Sequence, residues 1–130
     1  MLPLTGTAAR RLRDAPVVWC ATVRPDGSPH VTPVWFVVAE APSGLTWWIA
    51  TAARNVKVAN VRRRPAVSLV LPDPEPPLVA EGPARVRDDF PRAVVEAFAA
   101  KYDGWDATSG EPDGPRVLIE VTTERWLFAG

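Results

Sequence analysis

Residues 16–39 read PVVWCATVRPDGSPHVTPVWFVVA and contain two strand-like segments on either side of a turn. Segments 16–24 and 29–39 are rich in Val, Trp, Phe and Thr, which favour strands, and PDGS at residues 25–28 is typical of a hairpin turn. The second segment has apolar residues at successive positions, as in a strand covered on both faces. Pro33 cannot donate a ladder hydrogen bond, so we expect an edge or a bulge there. The stretch therefore predicts a β-hairpin.

The rest of the chain continues as short strands with few helices. We predict further strands over residues 45–51, 66–71, 78–88 and 116–128, the last of which is one strand or a strand pair. Helices are predicted over residues 6–14, 52–64 and 90–102. Six or seven short strands with two or three peripheral helices are typical of a small antiparallel barrel, a mainly β (α+β) fold, rather than of a doubly wound parallel sheet. We expect one domain over residues 1–130.

The composition argues against several classes of protein. The 130 residues include 15 Lys and Arg against 15 Asp and Glu, and this balance argues against a nucleic-acid partner, which usually requires a basic surface. No run of about 18 apolar residues and no apolar signal core is present, so we expect no membrane partner and no export. The single cysteine, Cys20, excludes an intrachain disulfide and a multi-cysteine zinc site, and a cytoplasmic location is expected.

Side-chain catalysis finds little support in the sequence. Neither a glycine-rich nucleotide-binding motif nor a Gly-x-Ser-x-Gly elbow occurs. The only histidine, His30, follows the predicted hairpin turn and is interpreted as an ordinary turn or strand-end residue. Cys20 lies in a strand pattern and is interpreted as a buried, inert thiol. We therefore predict no catalytic side chain and no metal site.

Residues 46–65, TWWIATAARNVKVANVRRRP, contain the most informative polar pattern. An apolar strand ends at Thr51 and continues into a predicted helix whose first turns carry Arg54, Asn55 and Lys57. Free N–H groups at a helix start, a hydroxyl and cationic side chains are what a phosphate ester needs, and Arg54 and Lys57 are expected on one helix face. The alternative is a solvated helix with ordinary surface charges. Lys57 is an uncommon choice here, because only one other of the 15 basic residues is a lysine.

The order of several segments resembles a known superfamily. The succession PDGSPHVTPVWFVV, WWIATAARNVKVANVRRRPAVSLVL, VAEGPARV, a helix ending in KYDGWD, and RVLIEVTTERW is similar to the split β-barrel flavin and deazaflavin oxidoreductases, the pyridoxamine 5′-phosphate oxidase-like superfamily. The resemblance runs from about residue 8 to residue 128 and is strongest to the small F420-dependent reductases, with FMN-binding members close behind. It implies an FMN-binding split barrel.

The resemblance also implies a cofactor site at a dimer interface. Its residues belong to a strand along a flavin-type ring and to a phosphate-binding turn and helix: Thr32, Pro33, Val34, Trp35, Thr51, Arg54, Asn55 and Lys57. Lys57 matches the phosphate-binding lysine of the family. Where the family often has a basic residue two positions earlier, this chain has Asn55, so Arg54 must reach from one residue further back. Four of the six tryptophans are plausible interface or ring-packing residues, although core packing is an alternative for them: Trp35, Trp47, Trp48 and Trp126.

The resemblance implies an oxidoreductase that binds coenzyme F420 between two identical subunits and transfers hydride to a small organic acceptor. One alternative is an FMN-binding flavin reductase or oxidase of the same fold. Another is a non-catalytic flavin-binding or dimeric interaction module. Oxidation of pyridoxamine phosphate is not expected, because the C-terminal RWLFAG has no counterpart of the basic residues that hold that substrate.

Overall fold

The computed structural model describes residues 6–73 and 76–129, which form a curled antiparallel sheet with three helices packed against it. The helices are α1 (Gly6–Asp14), α2 (Val56–Arg63) and α3 (Arg92–Lys101). The strands are β1 (Val18–Val23), β2 (Pro29–Val34), β3 (Phe36–Ala41), β4 (Gly44–Ala52), β5 (Ala66–Leu71), β6 (Leu78–Arg87), β7 (Arg116–Thr122) and β8 (Arg125–Ala129).

The spatial order of the strands explains why the sheet curls. Neighbouring strands follow the order β2-β1-β5-β6-β7-β4-β3, every pair is antiparallel, and β8 pairs with β6 beside this path. The two ends of the path, β2 and β3, are consecutive in the chain and are separated only by Trp35. The chain itself therefore joins the first strand to the last and bends the sheet into a barrel. The predicted mainly β, antiparallel split-barrel fold is confirmed.

The single strand predicted over residues 29–39 is divided at Trp35. Pro33 lacks an N–H group, and the backbone of Phe36 is engaged from outside the sheet. Its N–H donates to the Tyr102 hydroxyl at 2.9 Å, and its carbonyl accepts from Lys101 Nζ at 3.0 Å. These contacts turn the chain from β2 into β3, and the last predicted strand is also a pair, β7 and β8.

One predicted helix begins later than expected, whereas α1 and α3 lie within their predicted ranges. α2 begins only at Val56, because residues as far as Ala52 remain in β4, where Ala52 lies opposite Arg116 of β7. Arg54 therefore lies in the turn before α2, and the expectation that it shares a helix face with Lys57 is wrong. None of the helices in the described part of the chain is long and apolar enough to span a membrane.

Apolar side chains pack on both faces of β4. Phe36 and Trp47 belong to the cluster that fills the barrel. Trp48, Phe98 and Leu118 belong to a second cluster between the sheet and α3. Because consecutive residues of β4 enter different clusters, the continuous apolar run in its sequence reflects a strand covered on both sides.

The tryptophans divide between the core and the surface. Trp47 and Trp48 are buried, whereas Trp19 and Trp35 are each 42% exposed. Trp105 and Trp126 are partly buried and pack against the two apolar clusters. Exposed indole rings of this size are uncommon on a small domain, so the surroundings of Trp19 and Trp35 bear on function.

Strand β6 changes partners between Pro83 and Ala84, next to Gly82. Residues before Ala84 pair with β5, and residues from Ala84 onward pair with β7. A Cβ atom at Gly82 would lie 1.8 Å from the carbonyl oxygen of Thr122 and 3.1 Å from the amide nitrogen of Glu124. Both neighbours are backbone atoms held in strands or turns, so only glycine permits this approach.

We expect Gly82→Ala to lower the free energy of unfolding by at least ~2 kcal/mol, because the added methyl group displaces a backbone carbonyl at the strand junction. Urea denaturation monitored by tryptophan fluorescence measures this value. Gly6→Ala is the matched control, since a Cβ atom at Gly6 meets none of the described residues within 4 Å, and its effect should stay within about 0.5 kcal/mol. Equal stability of the two variants would contradict the role of Gly82.

Candidate functional site

A groove of about 330 Å³ lies where β2 ends, β4 ends, α2 begins and the loop before β7 passes over the sheet. Six of the eight predicted site residues line it: Pro33, Val34, Trp35, Thr51, Asn55 and Lys57. Larger clefts exist, including one of about 710 Å³ between α1, β3 and α3, but none of the predicted site residues lines that cleft. The groove is therefore the candidate functional site.

The other two predicted residues do not line the groove. Arg54 is exposed in the turn before α2. Thr32 lies in β2 opposite Cys20, and its buried hydroxyl oxygen has no hydrogen-bond partner in the described part of the chain. The structure thus brings the end of β2 and Lys57 together at the groove, whereas Arg54 lies outside its lining.

Lys57 is a buried cation that lines the groove from the second position of α2. It is only 7% exposed, and within residues 6–73 and 76–129 no carboxylate lies at ion-pair distance from its ammonium group. Burial lowers the pKa of Lys57 below its usual value, an effect that the neighbouring Cys20 opposes. A cation without a counter-ion is costly to bury, so the site is suited to an incoming anion.

The start of α2 adds further donors beside Lys57. Asn55 occupies the N-cap position, but its side chain does not cap the helix. Asn55 Nδ2 instead donates to Thr51 Oγ1 at 2.6 Å, which fixes the amide and the hydroxyl side by side at the groove. The N–H groups of the first helical turn therefore receive no side-chain cap, and such a turn favours an anion. We call Thr51, Asn55 and Lys57 the cationic end of the groove.

Another part of the groove lining is aromatic, and the sequence analysis missed most of it. The indole of Trp35 stacks on the ring of Tyr102 with centroids 4.3 Å apart and planes 1° apart. Trp105 meets Trp35 edge-on at 5.1 Å, and the Arg116 guanidinium lies 4.7 Å from the centroid of the Trp105 ring. We call Trp35, Trp105 and the neighbouring Asp113 the aromatic end. Trp35 was predicted as a site residue, whereas the only sequence signal for Tyr102 and Trp105 was the aromatic pair in KYDGWD at the end of a helix.

Two residues at the end of α3 hold the aromatic end in place. The Tyr102 hydroxyl accepts from the Phe36 N–H and donates to the Pro16 carbonyl, each at 2.9 Å, and burial raises its pKa. Lys101 Nζ donates to the carbonyls of Leu12 at 3.3 Å and Phe36 at 3.0 Å. Burial lowers the pKa of Lys101 to about 8. α1, the bend at Trp35 and α3 are therefore tied together at one point.

Cys20 and His30, the only cysteine and the only histidine of the sequence, are close enough to Lys57 for its charge to affect their pKa values. Cys20 is fully buried, and burial raises the pKa of its thiol to about 11, so the thiol is protonated at neutral pH. The pKa of His30 is lowered, chiefly by burial and then by Arg24 and Lys57. Neither residue lines the groove.

An antiparallel barrel with a groove at its side is a split barrel. Flavin-binding oxidoreductases are one class of protein with this fold. The family model described as "Pyridoxamine 5′-phosphate oxidase" matches residues 4–130, and the chain belongs to this family. No curated protein matches the chain significantly.

Solved structures share the fold. An F420 reductase is 26% identical, with a TM-score of 0.69 over 90% of this chain and 94% of that one. A pyridoxamine 5′-phosphate oxidase-related, FMN-binding protein from Nostoc punctiforme is 16% identical, with a TM-score of 0.63 over 95% of this chain and 81% of that one. The heme storage protein HutZ from Vibrio cholerae is 15% identical, with a TM-score of 0.67 over 95% and 92%. The last two likenesses concern the fold alone.

Lys101 should make stability depend on pH. Its folded pKa of about 8 lies below the unfolded value of 10.5, so the unfolded chain binds more protons between these values and the free energy of unfolding rises with pH from about pH 8. We expect Lys101→Met to flatten this rise between pH 7.5 and 9 in urea denaturation. Arg92→Met, at the exposed start of α3, is the control and should keep the wild-type slope. An unchanged slope in Lys101→Met would contradict this assignment.

Proposed function

We propose that the chain is an oxidoreductase that binds reduced coenzyme F420 in the groove and passes hydride to a small organic acceptor. The observation that supports this most is the buried ammonium of Lys57, which has no carboxylate partner among the described residues and lies beside a helix start without a side-chain cap. Such a site has unused capacity for one phosphate group, and the cofactors of this superfamily carry one.

The described residues fit such a cofactor. Lys57, the Thr51–Asn55 pair and the first N–H groups of α2 would hold the phosphate. The backbone of Pro33, Val34 and Trp35, which line the groove, would follow the polar edge of the ring. When bound, the cofactor supplies the hydride, so no acid, base or nucleophile of this chain is required for that step. The role of the chain is to anchor and orient the cofactor and to shield it from water.

F420 takes precedence over FMN because the reductase named for it is 26% identical over 90% of this chain, against 16% for the FMN-binding protein. The first alternative hypothesis is that the cofactor is FMN. The second is a flavin-binding or interaction module that catalyses no reaction. A heme-binding role has less support, because His30, the only histidine, does not line the groove.

We further propose that two copies of the chain pair through the outer face of β1 and β2. Trp19 and Val31 are 42% and 51% exposed on this face, and Trp19 lies opposite Pro33 in the strand register. Pro33 also lines the groove, so a second copy seated on this face would border the cofactor site. The scarcity of cysteine supports a cytoplasmic location.

Lys57→Gln should weaken binding of F420 by about 1.5–3 kcal/mol, since a charge-assisted phosphate contact is lost. Quenching of tryptophan fluorescence by F420 and, separately, by FMN measures the affinities. The thermal midpoint of the unliganded variant should not fall, because Lys57 forms no ion pair in the described structure.

Arg54→Gln is the matched control and should bind F420 as the wild type does, since Arg54 does not line the groove. Unchanged affinity in Lys57→Gln would show that the phosphate lies elsewhere. A yellow purified protein, or tighter binding of FMN, would favour the FMN alternative. If neither F420 nor FMN quenches the fluorescence at concentrations well above micromolar, both the F420 and the FMN enzyme hypotheses are wrong.

The molar mass in light scattering should be twice that of one chain. Val31→Asp should shift it towards one chain, because a carboxylate placed in an apolar interface is desolvated without a partner. Val56→Asp, at another exposed valine that lies outside β1 and β2, is the control. A wild-type mass equal to one chain contradicts the pairing.

A further inference from the structure

The aromatic end of the groove has a feature that the proposed phosphate contact does not use. Trp35 is 42% exposed although one side of its indole is stacked on Tyr102. The Tyr102 hydroxyl is anchored to the backbone of Pro16 and Phe36, so the plane of the supporting ring is fixed. Trp35 therefore presents a rigid, flat, partly open surface inside a groove, and such a surface favours stacking of another planar group.

The charges at this end are arranged unevenly. The side chain of Arg116 is 5% exposed, and its guanidinium donates to the carbonyls of Ser109 and Glu111, so these donors are already used within the protein. It also forms an ion pair with Asp113 at 3.8 Å, but the Asp113 side chain remains 59% exposed. The exposed charge at the aromatic end is therefore the Asp113 carboxylate, whereas the Arg116 cation is buried. The one other cationic residue of the lining, Lys57, belongs to the cationic end.

We infer that the aromatic end is the acceptor subsite and that it takes a planar ring without negative charge, stacked on Trp35. This inference rests on the proposed function, in which the cationic end is occupied by the cofactor phosphate. An acceptor with a carboxylate or phosphate on its ring is disfavoured by Asp113, whereas an uncharged or cationic ring loses nothing there. The two ends of the groove therefore select opposite ligand chemistries.

A pair of probes that differ only in charge tests the inference: naphthalen-2-ylmethanol and 2-naphthoate. Calorimetric titrations use the wild type and Lys57→Gln, the latter to remove any attraction of the naphthoate to the cationic end. In both proteins we expect the alcohol to bind at least about tenfold more tightly than the naphthoate. Asp113→Asn should reduce this ratio, and the exposed position of Asp113 makes the variant safe for folding.

The second variant is Trp35→Leu, which should weaken binding of the alcohol about tenfold. Trp19→Leu is its matched control, since Trp19 is equally exposed but does not line the groove. Equal binding of the two probes in Lys57→Gln, or equal losses in Trp35→Leu and Trp19→Leu, would overturn the inference.

The outcomes separate this inference from the proposed function. If F420 binds but the alcohol does not, only the acceptor subsite is wrong. If the alcohol binds and its binding depends on Asp113 and Trp35 as expected, while neither F420 nor FMN binds, the proposed function is wrong. The preference of the aromatic end for uncharged rings is then a property of the groove itself.

Discussion

The bend between β2 and β3 is the constraint on which the barrel depends. The two strands are the ends of the sheet path and are joined through Trp35 alone. Tyr102 and Lys101 engage both the N–H and the carbonyl of Phe36, which satisfies backbone groups next to the bend that would otherwise be costly to bury. Closure of the barrel and the position of Trp35 in the groove therefore have the same cause.

Burial of Lys57, by contrast, costs stability and is explained by the proposed ligand binding. Most of the interior follows the rule that buried polar groups are paired, as when Trp47 Nε1 donates to Thr123 Oγ1 at 2.7 Å. The Lys57 ammonium is as buried as a core residue and has no anionic partner among the described residues, and its lowered pKa reflects that cost. A fold tolerates such a group where binding an anion recovers the lost solvation.

The sequence predicted the cationic end far better than the aromatic end, and the reason is the separation of residues along the chain. Thr51, Asn55 and Lys57 lie within seven residues, so a local pattern could reveal them. Trp35 and Tyr102 meet only because α3 packs against the bend, which no periodicity indicates. The error at Arg54 has a tertiary cause as well: pairing with β7 extends β4 and delays the start of α2, and this overrides local helix preference.

Trp19 in β1 and Trp35 between β2 and β3 are equally exposed but lie in different surroundings. Both indoles are 42% exposed, but Trp19 projects from the outer sheet face opposite Pro33, whereas Trp35 is stacked and enclosed by the groove. Pro33 lies opposite Trp19 and also lines the groove. Because β2 is an edge strand of the described sheet, the N–H group that Pro33 lacks is tolerated there. In the proposed dimer, covering the outer face would contact the same strand whose residues line the groove, so pairing of chains and ligand binding would both involve β2. Under the two proposals, a change at Pro33 would affect both chain pairing and ligand binding, whereas a change at Trp19 would affect pairing and one at Lys57 would affect binding.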